Sequence, residues 1–227
     1  MQEIFRFLEA LRENNDRDWF HANKEWYLRI KVEHEAFINR VIAALAVVEP
    51  EVEGLEAKDC IFRIYRDTRF SPNKQPYKTH IGAYMVRGGK KSPRSGYYVH
   101  IEPGNCLLAG GVWCPEPSLL KALRQDVYDN IDEFTGIVRD KEFAKYYRLD
   151  GEKLKKVPAP FPKDFPEAEM LKFKAYTVTH GVPDAFFEGE DAVERVVDRL
   201  LLMKPFHRFL NYTVEETWNK GKWRIEN

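Results

Sequence analysis

An α+β fold is the class that the sequence predicts: an antiparallel sheet of about four or five strands, covered by N- and C-terminal helices. Apolar residues repeat at helical spacing before residue 50 and again after residue 115, whereas short β-branched and aromatic runs fill the segment between them. The connections GGKKSPRSG and PGN between those runs are rich in Gly and Pro. Because a parallel crossover needs about a dozen residues or more, such short connections predict an antiparallel meander.

The first fifty residues carry the N-terminal helices. Apolar residues over 3–13 predict a helix, which Asn14 and Asn15 end while offering a start for the next one. Over 17–48 the same spacing predicts one long helix preceded by a short one, and Pro50 ends it.

The central segment predicts strands and one long loop. Four strands are expected at Cys60–Arg66, Ile81–Arg87, Tyr97–Glu102 and Cys106–Trp113. The loop from Asp67 to His80 is long for a hairpin, and long ordered loops are often functional.

Helical spacing returns in the last half of the chain. It predicts helices over 119–131 and around 134–147, and one over 191–210 that is bent or interrupted at Pro205. Between them, residues 151–168 form a Pro-rich irregular segment. One further strand is predicted at Ala175–Thr179.

No internal repeat or domain boundary is visible in the 227 residues. The sequence therefore predicts a single domain over 1–227, with helices in 1–50, the sheet in 59–113 and helices again in 116–215.

Charge is balanced over the chain but not along it. The 36 Lys/Arg and 36 Asp/Glu residues give no global reason to expect a nucleic-acid or membrane protein. From Phe62 to Arg94, however, nine Lys/Arg stand against one Asp, a local charge of +8. Because fields between exposed charges are screened within about 10 Å, this segment is where an anion is expected to bind.

Location is predicted to be cytoplasmic. The three cysteines form no CxxC pair, and the charged N-terminal stretch MQEIFRFLEALRENNDRDWF lacks the pattern of a signal peptide. No apolar run approaches the roughly 18 residues of a membrane span, so no membrane partner is expected.

The predicted strands carry polar side chains at alternate positions, which share one face. If those faces coincide, five side chains gather on one side of the sheet: Arg63, Tyr65, Tyr98, His100 and Glu102. Tyr98, His100 and Glu102 are the candidate catalytic residues, with His100 as a general base. Gly110 and Gly111 on the next strand could admit a ligand close to the backbone. The plain alternative is a solvated sheet face.

The basic loop RDTRFSPNKQPYKTH, residues 66–80, and Arg63 before it supply the candidate ligand-binding residues. They are Arg63, Arg66, Asp67, Arg69, Lys74, Tyr77 and Lys78. Arg forks suit carboxylate or phosphate, and Asp67 is expected to hold one of the arginines. Phe70 and Tyr77 predict that the loop packs onto the domain and leaves its cations facing a cleft, whereas the alternative is a solvated charged loop.

Motifs for several chemistries are missing from the sequence. It has no GxxxxGK[ST], GxGxxG, GxSxG or HExxH. The six histidines lack metal-ligand spacing, so no metal site is predicted. The sequence does not specify a cofactor.

Three stretches resemble the DUF2461 family, a widespread family without an assigned function: FLEALRENNDRDWFHANKEWY, IFRIYRDTRFSPNKQPYKTHIGAYM and GYYVHIEPGNCLLAGGVWCPEPSLLKALR. The resemblance is strongest from Asp59 to Arg124. It implies a single α+β domain and makes the seven candidate ligand-binding residues family-pattern positions. It implies no activity, substrate or cofactor.

Three functions remain open. The favoured one is binding of a small phosphate- or carboxylate-bearing molecule, with proton transfer if a reaction occurs. The second is a nucleic-acid-binding module that stacks bases on Tyr77, Tyr84, Tyr97 and Tyr98. The third is partner binding, in which Trp218 and Trp223 take part or else pack on their own domain. The sequence does not decide whether the protein is an enzyme, nor its oligomeric state.

Overall fold

The computed structural model describes residues 1–222, with side chains through Trp218. It confirms the α+β class: one antiparallel sheet of five strands with the spatial order β1-β2-β3-β5-β4. The strands are β1 (Ile81–Met85), β2 (Gly96–Ile101), β3 (Cys106–Val112), β4 (Arg148–Asp150) and β5 (Tyr176–Val182). The first three strands form the predicted meander.

Within residues 1–222 there are nine α-helices. They are α1 (Gln2–Glu13), α2 (Arg17–Ala22), α3 (Lys24–Ala46), α4 (Ala57–Cys60), α5 (Pro117–Asp129), α6 (Ile131–Val138), α7 (Lys141–Tyr146), α8 (Ala192–Leu201) and α9 (Lys204–Lys222). In this described part, no helix combines the length and apolar character that crossing a membrane requires.

The N-terminal helices follow the predicted pattern of a long helix preceded by a short one. Asp16 caps α2, since its side chain accepts a hydrogen bond of 2.8 Å from the backbone N–H of Trp19. The buried residues of α3 recur at three and four positions, from Ile30 to Leu45, and so form one continuous apolar stripe.

The predicted strand at Cys60–Arg66 is wrong. Residues 57–60 form α4, and residues 61–66 make only two isolated bridges, Ile61 to Ala83 and Tyr65 to Tyr77. The chain opposite Arg66 contains Pro76, which has no N–H to donate, so a regular ladder cannot continue there.

The helix over 191–210, predicted to be bent or interrupted at Pro205, is interrupted. The first piece, α8, ends at Leu201, and α9 begins at Lys204, just before Pro205, where the first turn of a helix tolerates a proline. The short strand β4 was not predicted; it pairs antiparallel with β5, with Leu149 opposite Val178. Only three residues long, it carries too little pattern to be recognised from sequence.

The chain divides into two compact units. The first contains residues 1–91, 98–108 and 181–201, and its core includes α1, α3 and α8. The second contains residues 92–97, 109–180 and 202–222, and its core includes α5, α6 and α9. The single domain expected from sequence therefore stays a prediction.

Gly110 and Gly111 belong to the second unit and serve its packing. A Cβ on Gly110 would lie 2.5 Å from Cε1 of His207, and one on Gly111 would collide with the backbone of Tyr176. The predicted close approach to these glycines is thus made by neighbouring protein groups. Trp218 is 54% exposed, and Trp223 lies outside the described residues.

Candidate functional site

A hydrogen-bonded chain of three side chains lies on the polar face of β2, within the first unit. Tyr98 and His100 alternate along the strand with the buried Val99 and Ile101, and Glu102 comes directly after the strand end. The Tyr98 hydroxyl lies 3.0 Å from Nδ1 of His100, and Nε2 of His100 lies 3.2 Å from Oε2 of Glu102. These are the three residues predicted as catalytic, and the structure brings them together.

Two further side chains fix the carboxylate of Glu102. Thr79 donates its hydroxyl to Oε1 at 2.8 Å, and Asn105 donates Nδ2 to Oε2 at 2.7 Å. Burial by itself would raise the pKa of Glu102, but hydrogen bonds from Asn105, Thr79 and His100 outweigh it and hold the pKa below its ordinary value. The carboxylate is therefore ionised at neutral pH.

His80 completes the cluster. Its ring centroid lies 4.4 Å from that of His100, with the rings tilted by 32°. Burial, together with the nearby His100, lowers the pKa of His80 to about 4. Burial also lowers the pKa of His100, against the opposing effect of Glu102. At pH 7 the site thus holds two neutral imidazoles beside one carboxylate.

Tyr98 remains protonated over the physiological range. Burial and the charge of Glu102 raise its pKa to about 12. Its ring is accommodated by Gly82 on β1: a Cβ there would lie 2.5 Å from the Tyr98 hydroxyl oxygen. The absence of a side chain at Gly82 therefore allows the Tyr98 ring to lie close to the backbone of β1.

Lys78 borders the cluster, and the exposed Arg63 lies close enough to Lys78 to affect its pKa. Lys78 is half-buried, and its Nζ lies 5.5 Å from the centroid of the Phe62 ring. Burial, followed by the charge of Arg63, lowers the pKa of Lys78. Among the described side chains, no carboxylate forms an ion pair with Lys78 or Arg63. The charge of Lys78 also reaches His80 and His100, and contributes to lowering the pKa of each.

The other predicted cations are bound within the basic loop itself. Arg66 donates to the backbone oxygen of Gln75 at 3.1 Å and to the Ser71 hydroxyl at 3.3 Å. Lys74 donates to the backbone oxygen of Thr68 at 3.0 Å.

Asp67 holds Arg69, as the sequence predicts for one of the arginines. The Asp67 carboxylate accepts two hydrogen bonds from the Arg69 guanidinium, of 3.0 and 2.6 Å. These bonds lower the pKa of Asp67 to about 2. Arg69 is thereby compensated inside the loop, in contrast to Lys78 and Arg63.

The aromatic residues of this region take different roles. Tyr77 is buried and stacks on Phe20 with a centroid distance of 4.0 Å, so it anchors the loop as predicted. Phe70 is 93% exposed, so the prediction that it also anchors the loop is wrong. Tyr65 packs against Phe20 and Tyr77, at 5.9 and 5.5 Å. It belongs to this aromatic group instead of the predicted polar face.

Asn105 was not predicted as a member of the site, and Thr79 and His80 were expected only as neutral hydrogen-bonding groups of the basic loop. One signal was available for His80. Lys78, His80 and Gly82 are two positions apart, as Tyr98 and His100 are. If the two segments are adjacent strands, these residues share one face, and His80 lies on the same face as His100. Thr79 and Asn105 lie at irregular backbone, where alternation gives no guidance.

Comparison with known proteins gives a family but no relative of known function. A family model described as "Conserved hypothetical protein (DUF2461)" matches residues 3–209. No curated protein matches the chain, and no solved structure matches it.

Proposed function

We propose that this chain, which belongs to the DUF2461 family of conserved hypothetical proteins, binds a small phosphate- or carboxylate-bearing molecule beside the polar face of β2. Lys78 and Arg63 attract the anion, and the neutral imidazoles of His80 and His100, with the Tyr98 hydroxyl bonded to His100, lie beside Lys78. The role of Tyr98, His100 and Glu102 in proton transfer stays a prediction.

The observation that carries this proposal is the lack of an acidic partner for Lys78 and Arg63 among the described side chains. Asp67 acts on Arg63 only as a weaker, longer-range charge, because its own hydrogen bonds go to Arg69. Two cations close enough to lower a pKa repel each other, and a bound anion relieves that repulsion. The partial burial of Lys78 strengthens its attraction for an anion, because water screens it less.

Isothermal titration with sodium phosphate, and separately with sodium malonate, tests the proposal. The protein is first treated with EDTA so that no metal ion contributes. We expect saturable binding of at least one of the two anions by the native chain. Lys78→Gln and Arg63→Gln should each weaken it about tenfold or more, since a hydrogen bond to a charged group contributes about 1.5–3 kcal/mol.

Lys121→Gln is the matched control. Lys121 lies on the exposed surface of α5, in the second unit, and its substitution removes the same charge without touching the site. If Lys121→Gln loses as much anion affinity as Lys78→Gln, the loss comes from the change in net charge and not from the site. Undiminished affinity in Lys78→Gln would remove Lys78 from the proposed site.

Nucleic-acid binding is the weaker candidate. Two of the four tyrosines that would stack bases are buried, Tyr77 at 4% and Tyr97 at 3% exposure. A base cannot reach either ring without opening the core. The described residues therefore lack half of the stacking surface that this alternative requires.

A cytoplasmic location is part of the proposal. Cys60, Cys106 and Cys114 are all free thiols, which suits a reducing compartment. Detection of the protein in the soluble cytoplasmic fraction of its source cells would support this assignment.

A further inference from the structure

The cluster of His80, His100 and Glu102 combines two imidazoles with one carboxylate, and these are side chains that can bind a metal ion. One potential ligand atom from each residue lies within 4.8 Å of the other two. We propose that these three side chains bind a divalent transition-metal ion such as Zn²⁺ or Fe²⁺. This inference goes beyond anion binding and does not depend on it.

The separation between two of the ligand atoms already suits a shared ion. Nε2 of His100 and Oε2 of Glu102 are 3.2 Å apart. Two ligands bound tetrahedrally to zinc, each at roughly 2.0–2.1 Å, stand about 3.3 Å apart. An ion between these atoms therefore replaces their hydrogen bond with little movement. His80 has to turn its ring toward the same point, and it lies beside His100 already.

The surrounding hydrogen bonds are those that metal ligands usually have. When Nε2 of His100 binds an ion, Nδ1 carries the proton and donates it to the Tyr98 oxygen, 3.0 Å away. The carboxylate of Glu102 is oriented by Thr79 and Asn105. Each proposed ligand on β2 and at its end is thus held by a second residue, as ligating histidines and carboxylates commonly are.

The ligand set indicates which ions fit. Two imidazoles and one carboxylate suit zinc, iron(II) and cobalt(II), whereas calcium and magnesium prefer oxygen ligands throughout. Three protein ligands also leave a coordination position free for water or for an oxygen of an anion. Lys78 lies close enough to draw such an anion toward the ion, which would join this site to the proposed anion site.

Titration of the EDTA-treated protein with zinc chloride is the direct experiment. It is carried out in a Cys114→Ser background, because the exposed thiol of Cys114 can bind zinc by itself. We expect one saturable site in each chain. His80→Asn and Glu102→Gln should each weaken zinc binding at least about tenfold, and Tyr98→Phe should weaken it less while keeping the same stoichiometry.

His21→Asn is the matched control, since His21 is exposed on α2 and takes no part in the cluster. It should bind zinc as the parent protein does. Far-UV circular dichroism in EDTA checks that each variant is folded. If His80→Asn does not fold, cobalt(II) loading of the parent protein and of Glu102→Gln tests the site instead. The parent protein should show the visible absorption bands of four- or five-coordinate cobalt, and Glu102→Gln should lose them.

Lys78→Gln separates this inference from the proposed anion binding. Removing a neighbouring positive charge should leave zinc affinity unchanged or increase it, while phosphate or malonate affinity in EDTA falls. A parent protein that does not bind zinc or cobalt at about 100 µM, a micromolar test range typical of ligand affinities, would overturn the metal site. Equal zinc affinity in the parent, His80→Asn and Glu102→Gln would also overturn it.

Discussion

Gly82 is the residue on which the position of Tyr98 most directly depends. A Cβ at this position would stand 2.5 Å from the Tyr98 hydroxyl oxygen, 2.9 Å from Cε2 and 3.0 Å from Cζ. Gly82→Ala should therefore displace the ring, break its hydrogen bond to His100 and destabilise the protein by about 1–3 kcal/mol, the usual cost of overpacking. Urea unfolding measures this difference.

Gly136→Ala provides the comparison for Gly82→Ala. Gly136 lies within α6, and a Cβ there would meet nothing within 4 Å. Alanine should stabilise that helix by about 0.5–1 kcal/mol. A Gly82→Ala variant as stable as the parent protein would contradict this expectation, because the Tyr98 ring could then move away from the added methyl group without cost.

Asn15, in the turn between α1 and α2, binds the chain that leads into β1. Its side chain donates Nδ2 to the backbone oxygen of Tyr77 at 3.0 Å and accepts from the backbone N–H of Tyr77 at 3.1 Å. Asn15→Ala leaves both groups of Tyr77 without these partners, at a cost of about 1–3 kcal/mol in unfolding free energy. Chemical denaturation of the variant tests this expectation.

The neighbouring Asn14 supplies a matched substitution at the same junction. Its side chain makes one exposed hydrogen bond, to the backbone oxygen of Ala10 at 2.9 Å. Asn14→Ala should cost less than about 0.5 kcal/mol, as is usual at the surface. If Asn14→Ala and Asn15→Ala lower the unfolding free energy by similar amounts, the hydrogen bonds to Tyr77 add no stability beyond that of an exposed hydrogen bond.

The elements also show what a sequence pattern can and cannot predict. Helices α1 and α3 are recognisable because their periodicity lies entirely within the segment that forms them. The segment after α4 carries β-branched and aromatic residues like a strand, yet it forms only isolated bridges, because Pro76 lies opposite Arg66. The N–H and C=O of Tyr77 are bound by Asn15, which lies 62 positions away. Similarly, His100 and Glu102 are predictable from alternation within β2, whereas His80 joins them only through the pairing of chain segments.

At the scale of the whole molecule, buried histidines should make stability depend on pH. Burial lowers the pKa of His34 to about 4 and that of His207 to about 3. In the unfolded chain both titrate near 6.5. Between pH 6.5 and 4 the unfolded state therefore binds more protons, so stability is fully present above pH 6.5 and falls as the pH is lowered.

The slope of this decline is measurable. Each such histidine contributes about 1.4 kcal/mol of unfolding free energy per pH unit inside that window. Urea midpoints at pH 7, 6 and 5, in EDTA, should show the decline, and His34→Gln should reduce the slope by about one histidine's share. His21→Asn, on the surface, should leave the slope as it is. A His34→Gln slope equal to that of the parent protein would mean that His34 titrates normally in the folded state.

The contact between Asn15 and Tyr77 has a consequence for association between chains. The neighbours of Tyr77 turn their backbone groups toward the segment around Tyr65: Pro76 accepts from Arg66, and Lys78 donates to Ile64. Tyr77 itself points its N–H and C=O the other way, where a further strand would pair. A single amide side chain supplies the acceptor and donor that such a strand would bring. Asn15 therefore acts as a one-residue substitute for a strand, and the N–H and C=O of Tyr77 are not available to pair with a second chain.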